Sequence, residues 1–357
     1  MTRLAAVVRG GLVESIHFGA VAVVAPGGAL VALAGDPELA IVTRSTIKPF
    51  QALPLVLAGG IDRFGLDDAD LALICSSHGG TPAHVERARS LLGRGGFGVE
   101  ALGCGAQRPM DADAAHRLDE SGEPPGPLHN NCSGKHAGML LACAALDLPA
   151  ADYFAPEHPL QRRIEAELAA CCGLVPGLRH AVDGCSAPTF ALPLAALARG
   201  WAAVAGPSEA GLDPARARAL DRLARAMGAA PEMVAGPGRF TTALARATCG
   251  RVLGKEGAEA LYAIAIRGPH PLGAAFKIAD GGDRARDTIA LELLGQLGAL
   301  SGDEQRELAP YYRPQLRNHR GLVVGEIVAE VEIVATRVAK SWLNSASVFS
   351  ANASASR

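Results

Sequence analysis

Short apolar stretches separated by glycine and proline occur at both ends of the chain. These stretches are residues 4–9, 17–25, 29–34, 274–279 and 321–331. Gly10-Gly11 and Pro26-Gly27-Gly28 divide the first three. Apolar runs of this length predict strands, and the turn residues between them favour an antiparallel meander. The last stretch suits one long strand or a strand pair.

The middle of the chain, from about residue 110 to residue 235, is dominated by helical patterns instead. Helices are predicted over residues 81–93, 134–146 and 158–173, from 188 onward and from 213 onward, and again over 257–266 and 284–297. Several of these begin with proline, which suits the first turn of a helix, and several carry apolar residues on one face.

We therefore predict an α+β fold in which a single antiparallel sheet takes both chain ends and the middle is largely helical. One domain is predicted over residues 1–335, with a sheet region at about 1–50 and 240–335 and a helical region at about 51–239. Residues 336–357 are rich in alanine, serine and asparagine and are predicted to form a disordered tail.

Composition and charge narrow the range of partners. Hydrophobic residues make up 49% of the chain and charged residues 20%, which excludes an intrinsically disordered protein. The formal net charge is -2 and no block of lysine and arginine is present, so we expect no nucleic-acid partner. No apolar run reaches the ~18 residues of a membrane span, and charges interrupt the N-terminal apolar stretch. We expect a cytoplasmic protein with no membrane partner.

Lysine is scarce, which makes the few lysines informative. Lysine and arginine total 34, and only five of these residues are lysines. A buried lysine can lose its proton whereas an arginine cannot, so a lysine in an arginine-rich chain is a candidate for proton chemistry. Three lysines lie in unusual local sequences: Ser45-x-x-Lys48, Cys132-Ser133-Gly134-Lys135 and Gly254-Lys255-Glu256-Gly257.

Two serines are candidates for an activated hydroxyl. Ser45 precedes Lys48 by three residues, which places hydroxyl and amine on the same side of a helical turn. A neutral amine there can take the hydroxyl proton, as in Ser–Lys nucleophiles. Ser77 follows the apolar run 71–75 in a loop, where catalytic hydroxyls are often found. A plain polar turn followed by a helix cap explains Ser77 equally well.

Cys132 and Cys185 follow polar, loop-like sequences, unlike the cysteines in alanine-rich and leucine-rich helices. The chain has eight cysteines and no Cys-x-x-Cys pair, and a disulfide framework is not expected in a cytoplasmic protein. From spacing alone, a shared zinc site and two buried structural cysteines both remain open.

Five sequence blocks together resemble one enzyme family. They are RSTIKPFQALPL at 44–55, CSSHGG at 75–80, HNNCSGKHAGML at 129–140, VDGCSAPTFALPL at 182–194 and GKEGAE at 254–259. Through them the chain resembles, from about residue 5 to residue 333, the zinc-containing L-asparaginases typified by the inducible rhizobial enzyme, often called asparaginase II.

The resemblance implies a fold similar to serine β-lactamases and serine-dependent glutaminases, a homodimer, and hydrolysis of L-asparagine to L-aspartate and ammonia. It also implies two Ser–Lys pairs and a zinc ion (Zn2+) held by two cysteines and a lysine. In this chain the pairs fall on Ser45 with Lys48 and on Ser77 with Lys255, and the zinc ligands fall on Cys132, Lys135 and Cys185. Positions near the family's pocket match Arg44, His136 and Asp183.

The predicted chemistry is acyl transfer through serine. An amide substrate needs a nucleophile, an oxyanion stabiliser and a proton for the leaving ammonia. We expect Ser45 to attack the side-chain carbonyl with Lys48 as base, while Ser77 and Lys255 relay protons. Two lysines close together lower each other's pKa, as neighbouring like charges do.

The remaining predicted residues bind substrate or metal. A guanidinium can bind a carboxylate through two parallel hydrogen bonds, so Arg44 suits the α-carboxylate of asparagine. Asp183 suits the α-ammonium or the metal shell. We expect the zinc to position substrate and to shape the pocket, because a Ser–Lys nucleophile already does what zinc-bound hydroxide would do.

Other functions remain open from the sequence. A penicillin-recognising or glutaminase-like acyl-hydrolase shares the Ser-x-x-Lys turn, although this chain has no Lys-Thr-Gly motif. A non-enzymatic zinc-binding protein would need Cys132 and Cys185 but neither Ser–Lys pair. A threonine nucleophile at Thr81 is set aside, because Thr81-Pro82 is typical of a helix N-cap. The sequence does not fix a preference for asparagine over glutamine.

Overall fold

The computed structural model describes residues 1–337, and strands from both chain ends form its large sheet. The strands are β1 (Thr2–Arg9), β2 (Leu12–Val24), β3 (Leu30–Ala34), β4 (Ala40–Val42), β5 (His180–Val182), β6 (Pro188–Pro193), β7 (Val252–Gly257), β8 (Leu261–Ile266), β9 (Leu272–Ile278), β10 (Gln315–Arg317), β11 (Val323–Ala329) and β12 (Val334–Ala335). The tail predicted at 336–357 lies outside the described residues apart from its first two.

Helices fill most of the chain between the N-terminal and C-terminal strands. They are α1 (Lys48–Gln51), α2 (Leu53–Leu57), α3 (Gly60–Phe64), α4 (Asp68–Ile74), α5 (Pro82–Arg94), α6 (Ala112–Ser121), α7 (Ser133–Ala145), α8 (Pro159–Cys172), α9 (Leu194–Ala205), α10 (Pro214–Ala229), α11 (Pro231–Val234), α12 (Phe240–Ala247), α13 (Arg286–Gln296) and α14 (Gly302–Tyr312). Short 3-10 turns lie at Arg44–Ile47, Val99–Ala101, Pro127–His129, Pro207–Glu209 and Asp283–Ala285.

The large sheet runs in the order β10-β11-β1-β2-β9-β8-β7, with β3 paired to β2 and β12 paired to β3. Every pairing in it is antiparallel, and β1 lies between β2 and β11, so that Ala5 faces Ala329. The two ends of the chain are therefore adjacent strands. This confirms the predicted α+β class and the predicted contribution of both ends to one sheet.

Both faces of the large sheet are covered. Successive strand residues point to opposite faces. In β2, Ala20 and Ala22 belong to the hydrophobic core shared with the helical middle, whereas Val21 and Val23 belong to a second core that includes α13. The sheet is thus sandwiched between two helical layers, and its last strand, β7, is an edge that borders the helical middle.

One predicted helix and the first residues of another are strands, and the protein has a second sheet. Residues 188–193 form β6, which pairs with β4 and β5 in a separate three-stranded sheet, and the helix predicted from 188 onward begins only at Leu194, as α9. Residues 257–266 contribute the end of β7 and all of β8. Both strands are buried on each face, so they lack the alternation by which a sequence reveals a strand, and alanine-rich composition there favours helix. The two hairpins in which β8 pairs with β7 and with β9 decide the outcome.

None of the helices within residues 1–337 combines the length and the apolar composition that a membrane span requires.

Helix α9 packs directly on β9, and glycine makes this contact possible. A Cβ atom at Gly273 would lie 2.0 Å from the Ala202 nitrogen and 2.1 Å from the Ala198 oxygen, both in the backbone of α9. Gly273→Ala should therefore lower the free energy of unfolding by about 1–3 kcal/mol or more, because the helix has to move off the sheet. Urea denaturation measures this change.

The matched control is Gly295→Ala in α13, where an added Cβ has nothing within 4 Å. Replacing an open helical glycine by alanine should stabilise the protein by about 0.5–1 kcal/mol. Equal effects at the two positions would contradict the close packing of α9 on β9.

Candidate active site

A cavity of about 590 Å³ opens where the β7 edge meets the turn at Arg44–Ile47 and the start of α7. Six of the residues predicted from sequence line it: Arg44, Ser45, Ser77, Cys132, Asp183 and Cys185. The three predicted lysines lie just behind this lining and are buried. His136 is fully buried and is not part of the lining, so the geometry does not support its direct contact with substrate.

Two hydrogen bonds to other parts of the chain hold the turn that carries Ser45. Arg44 has a φ of 46°, a left-handed conformation that is costly for a residue with a side chain. Its backbone N–H donates to Thr189 Oγ1 at 2.8 Å, and Trp201 Nε1 donates to the Thr46 carbonyl at 3.1 Å. The strained backbone therefore persists because surrounding hydrogen bonds fix it.

The Ser77 hydroxyl lies between two lysine amines. Lys48 Nζ is 2.9 Å from Ser77 Oγ, and Lys255 Nζ is 2.8 Å from the same oxygen. Ser77 follows α4 in the short loop before α5, and its backbone N–H donates to the Val234 carbonyl at 2.9 Å. The structure thus joins the lysines of both predicted Ser–Lys pairs through one serine.

Lys48 makes its hydrogen bonds within residues 1–337 to groups other than Ser45, although the two residues share one turn. An ammonium has three N–H donors, and Lys48 Nζ has three acceptors around it: Ser77 Oγ, the Ser76 carbonyl and Cys132 Sγ, the last at 3.1 Å. Within residues 1–337, the Ser45 hydroxyl has no hydrogen-bond partner, and its residue is half-buried at the cavity wall.

The second lysine has an environment suited to proton exchange. Burial lowers the pKa of Lys255 to about 7; the Glu256 carboxylate opposes this shift, and the Lys48 and Arg239 cations add to it. Near neutral pH the Lys255 amine is therefore neutral in a large fraction of molecules. A neutral amine has the lone pair that a general base needs.

Cys132, Lys135 and Cys185 meet in one buried spot. Lys135 Nζ donates to Cys185 Sγ at 2.9 Å. A hydrogen bond from Cys185 holds the pKa of the Cys132 thiol well below its usual value against the effect of burial, with help from Lys48 and Lys135, whereas the pKa of Cys185 is raised. Two sulfurs and a nitrogen are donors that zinc prefers, so this donor set fits the implied zinc.

No group of three or more His, Cys, Asp and Glu side chains in residues 1–337 is placed to hold a metal. The set described above contains two such side chains and a lysine. Lysine ligates only when neutral, so a metal here has to displace a proton from Lys135.

His136 is buried behind the cavity wall, close to Tyr153 and Cys185. Its Nδ1 lies 2.6 Å from Tyr153 Oη, which accepts a hydrogen bond from the Gly103 N–H at 3.0 Å. Nε2 is buried and has no hydrogen-bond partner within residues 1–337. Burial lowers the pKa of His136 to about 4, so the imidazole is neutral at neutral pH.

Arg44 and Asp183 form an ion pair at the other side of the cavity. Arg44 Nε donates to Asp183 Oδ1 at 2.7 Å, and the Gly184 N–H donates to the same carboxylate oxygen at 2.9 Å. Burial raises the pKa of Asp183, but the Arg44 guanidinium outweighs this and holds the pKa below its usual value. Within residues 1–337 the Arg44 side chain makes no other hydrogen bond, which leaves its terminal nitrogens for a ligand.

Sequence reasoning did not single out the residues that surround Lys255. Glu256 lines the cavity, its carboxylate accepts a hydrogen bond from Thr241 at 2.7 Å, and Arg239 lies 3.3 Å away. The one signal for Glu256 was its place beside Lys255 in the GKEGAE block. Thr241 and Arg239 carry no local signal, because only the packing of α12 on β7 brings them to the site.

The hydroxyl of Thr189 should determine how firmly the Ser45 turn is held. It accepts the Arg44 N–H and lies 3.2 Å from Thr43 Oγ1. Thr189→Val keeps the shape and leaves these buried groups unpaired, so it should cost about 1–3 kcal/mol of unfolding free energy in urea denaturation. Thr189→Ser keeps the hydroxyl and should recover most of that loss. Equal losses for both variants would show that packing, not the hydrogen bond, fixes the turn.

Comparison with known proteins identifies the family of this chain. A family model described as L-asparaginase II matches residues 5–329. No curated protein matches the chain. One matching solved structure, described as the crystal structure analysis of Mglu in its native form, is 15% identical over 80% of this chain, with a TM-score of 0.40. The chain spans 66% of that protein's length, just under two thirds, and a likeness of this degree identifies neither fold nor function.

The family model extends over both serines, the buried lysines, the cysteine pair and the cavity that they surround. The chain therefore belongs to the L-asparaginase II family, a family of amidohydrolases that act on asparagine.

Proposed function

We propose that this protein hydrolyses L-asparagine to L-aspartate and ammonia, with Ser45 as the nucleophile and Ser77 as the proton carrier. The observation that supports this most is the Ser77 hydroxyl between two lysine amines, at 2.9 and 2.8 Å, in one cavity with the Ser45 hydroxyl, which has no hydrogen-bond partner in the described part of the chain. A serine oxygen has two lone pairs and one proton. Lys48 donates to one lone pair of Ser77, and neutral Lys255 is placed to accept the Ser77 proton, an arrangement that favours proton transfer.

The nucleophile needs a route for its proton, and a chain of three groups supplies one. Neutral Lys255 accepts the Ser77 proton, Ser77 accepts a proton from Lys48, and Lys48 accepts the proton of Ser45 as Ser45 bonds to the amide carbon. Each group gains one proton as it loses one, so the charge ends on Lys255. Lys48 has to exchange one of its present acceptors for Ser45, which lies three residues before it on the same turn.

The second half of the reaction reverses this transfer. The tetrahedral intermediate collapses when the chain returns a proton to the departing nitrogen, and ammonia leaves with the electron pair of the broken C–N bond. Water then attacks the aspartyl ester on Ser45 and gives a proton to the same chain, which returns a proton to Ser45 Oγ as the ester C–O bond breaks and aspartate is released. Arg44 binds the α-carboxylate, and Asp183 binds the α-ammonium.

The zinc site belongs to the same proposal. Cys132, Lys135 and Cys185 would hold the ion, and zinc bound there would polarise a nearby oxygen and fix the loops around the cavity. Lys48, through its contact with Cys132 Sγ, lies between the metal site and the proton chain. The homodimer and the likeness to serine β-lactamases and glutaminases, both implied by the sequence blocks, remain predictions.

Ammonia release from L-asparagine tests the function, with L-glutamine as a parallel substrate. Ser45→Ala and Ser77→Ala should each lower kcat at least about 10³-fold, because the nucleophile and its proton route act as a unit. Ser90→Ala, an exposed serine of α5, should keep the full rate. An unmodified protein that releases no ammonia from either amide would refute the proposed activity.

Trapping the covalent intermediate decides between the two serines. Enzyme quenched in acid during turnover and digested with a protease should carry one aspartyl group on the peptide that contains Ser45, as seen by mass spectrometry. Ser45→Ala should carry none. An aspartyl group on the peptide that contains Ser77 would reverse the two roles.

Metal binding is tested without reference to activity. After dialysis against buffered zinc, the unmodified protein should hold about one zinc per chain and should melt at a higher temperature than chelator-treated protein. Cys132→Ser and Cys185→Ser should lose both effects, because each removes a thiolate ligand. Cys249→Ser, which changes an exposed thiol, should bind as the unmodified protein does. Full zinc content in Cys132→Ser would remove this residue from the ligand set.

A further inference from the structure

In the motif Gly254-Lys255-Glu256-Gly257, each of the two glycines allows a different close contact. A Cβ at Gly257 would meet Thr46 Cγ2 at 3.1 Å, so this glycine lets β7 approach the Ser45 turn. A Cβ at Gly254 would lie 2.1 Å from Tyr262 Oη. The first glycine of the motif therefore makes room for a tyrosine hydroxyl, which raises the question of what that hydroxyl does.

The Tyr262 hydroxyl begins a hydrogen-bond chain that ends on Glu256. Thr241 Oγ1 donates to Glu256 Oε2 at 2.7 Å, and Tyr262 Oη lies 3.0 Å from Thr241 Oγ1. Because threonine has a single hydroxyl proton and Glu256 accepts it, the Tyr262 O–H must be the donor to Thr241. Arg239 Nη2 lies 3.3 Å from the other carboxylate oxygen. The carboxylate is thus fixed through both oxygens.

The carboxylate held in this way lies close to the Lys255 amine. Lys255 Nζ is 3.8 Å from Glu256 Oε2 and donates to the Glu256 carbonyl at 3.0 Å. Successive strand residues point to opposite faces, yet here the two charged groups meet. They can meet because β7 is the edge strand of the sheet. On its open side, no neighbouring strand of the described residues lies between the two side chains.

We propose that Glu256 is a positioning residue that holds the Lys255 amine against Ser77, and that the Tyr262–Thr241 hydroxyl chain exists to hold Glu256. Glu256 does not touch the reacting atoms in this scheme; it acts through Lys255. Its effect on turnover rests on the proposed asparaginase function, whereas its effect on Lys255 does not.

The sign of the electrostatic effect follows from the groups around Lys255. The titratable and charged groups that face it are Lys48, Cys75, Cys132, Arg239 and Glu256. Burial opposes the ionised form of Glu256, but Lys255 and Arg239 outweigh it and lower the pKa of Glu256 to about 2, so the carboxylate is charged at neutral pH. A negative charge stabilises the lysine ammonium, so its removal lowers the pH at which Lys255 loses its proton.

The scarcity of lysine makes a direct measurement practical. Protein labelled with ¹³C at the lysine ε-carbon gives one signal for each of the five lysines, and Lys255→Met assigns the signal of interest. In the unmodified full-length protein this signal should titrate near pH 7. In Glu256→Gln it should titrate about one to three pH units lower, the range expected when an opposite charge at this distance is removed.

Two further variants and one control separate charge from fold. Thr241→Val keeps the Glu256 charge and removes the hydroxyl that holds it, so the shift should be smaller and in the same direction. Thr241→Ser should restore the original titration. Glu259→Gln, the same substitution at an exposed position three residues further along, should leave the titration unchanged. A Lys255 signal that titrates at the same pH in Glu256→Gln and in the unmodified protein overturns the proposal.

The pH profile of kcat/KM connects the positioning role to turnover. Its ascending limb should lie near pH 7 and move to lower pH in Glu256→Gln, together with a fall in kcat. A merely structural role would lower the rate at every pH without moving the limb. A shifted NMR titration in a protein that releases no ammonia would refute the asparaginase function and leave the role of Glu256 standing.

Discussion

Two buried lysine amines contact one serine oxygen at the wall of the cavity, and most of the surrounding structure follows from this contact. Two ammonium groups so close together repel each other strongly in a medium of low dielectric constant. The chain resolves the conflict by making the two lysines different. Three acceptors surround Lys48, while burial and its neighbours bring the pKa of Lys255 to about 7. This difference between the two lysines allows a proton to move, because the Lys48 amine can donate a proton and the Lys255 amine can accept one.

The asymmetry also ties the sulfur cluster to the serine chemistry. One of the three acceptors of Lys48 is Cys132 Sγ, at 3.1 Å, and Cys132 is the N-cap of α7. Any change in the charge on that sulfur changes the strength of the hydrogen bond that it accepts from Lys48. A metal ion on Cys132 would draw electron density from the sulfur and weaken its hold on the Lys48 N–H. In the proposed scheme the metal therefore need not touch the substrate to affect the rate.

Local sequence patterns predicted many of the helices, strands and site residues. The elements and contacts that they missed were missed for identifiable physical reasons. Residues close together in the chain were grouped correctly: the strands at the N-terminus, the helix from Pro159 to Cys172, and the N-cap at Thr81 all depend on short-range patterns. β8 was missed because a strand buried on both faces has no polar alternation, and β6 was missed because one of its two partner strands, β4, lies far away in the chain. Likewise, the pairing of Ser45 with Lys48 follows from spacing, but the contact actually made, Lys48 with Ser77, depends on how α1 packs against the loop after α4.

The strained turn at Arg44 shows why the free Ser45 hydroxyl is significant. With φ at 46°, Arg44 turns the chain so that its own side chain reaches Asp183 while the next residue faces the cavity. The left-handed backbone at Arg44 occurs together with the Thr189 hydrogen bond and the Asp183 ion pair. The same turn carries both the guanidinium proposed to bind the α-carboxylate and Ser45, whose hydroxyl has no hydrogen-bond partner within residues 1–337. In the proposed reaction this hydroxyl has no hydrogen bond to break before it attacks, which suits the role of nucleophile proposed for Ser45.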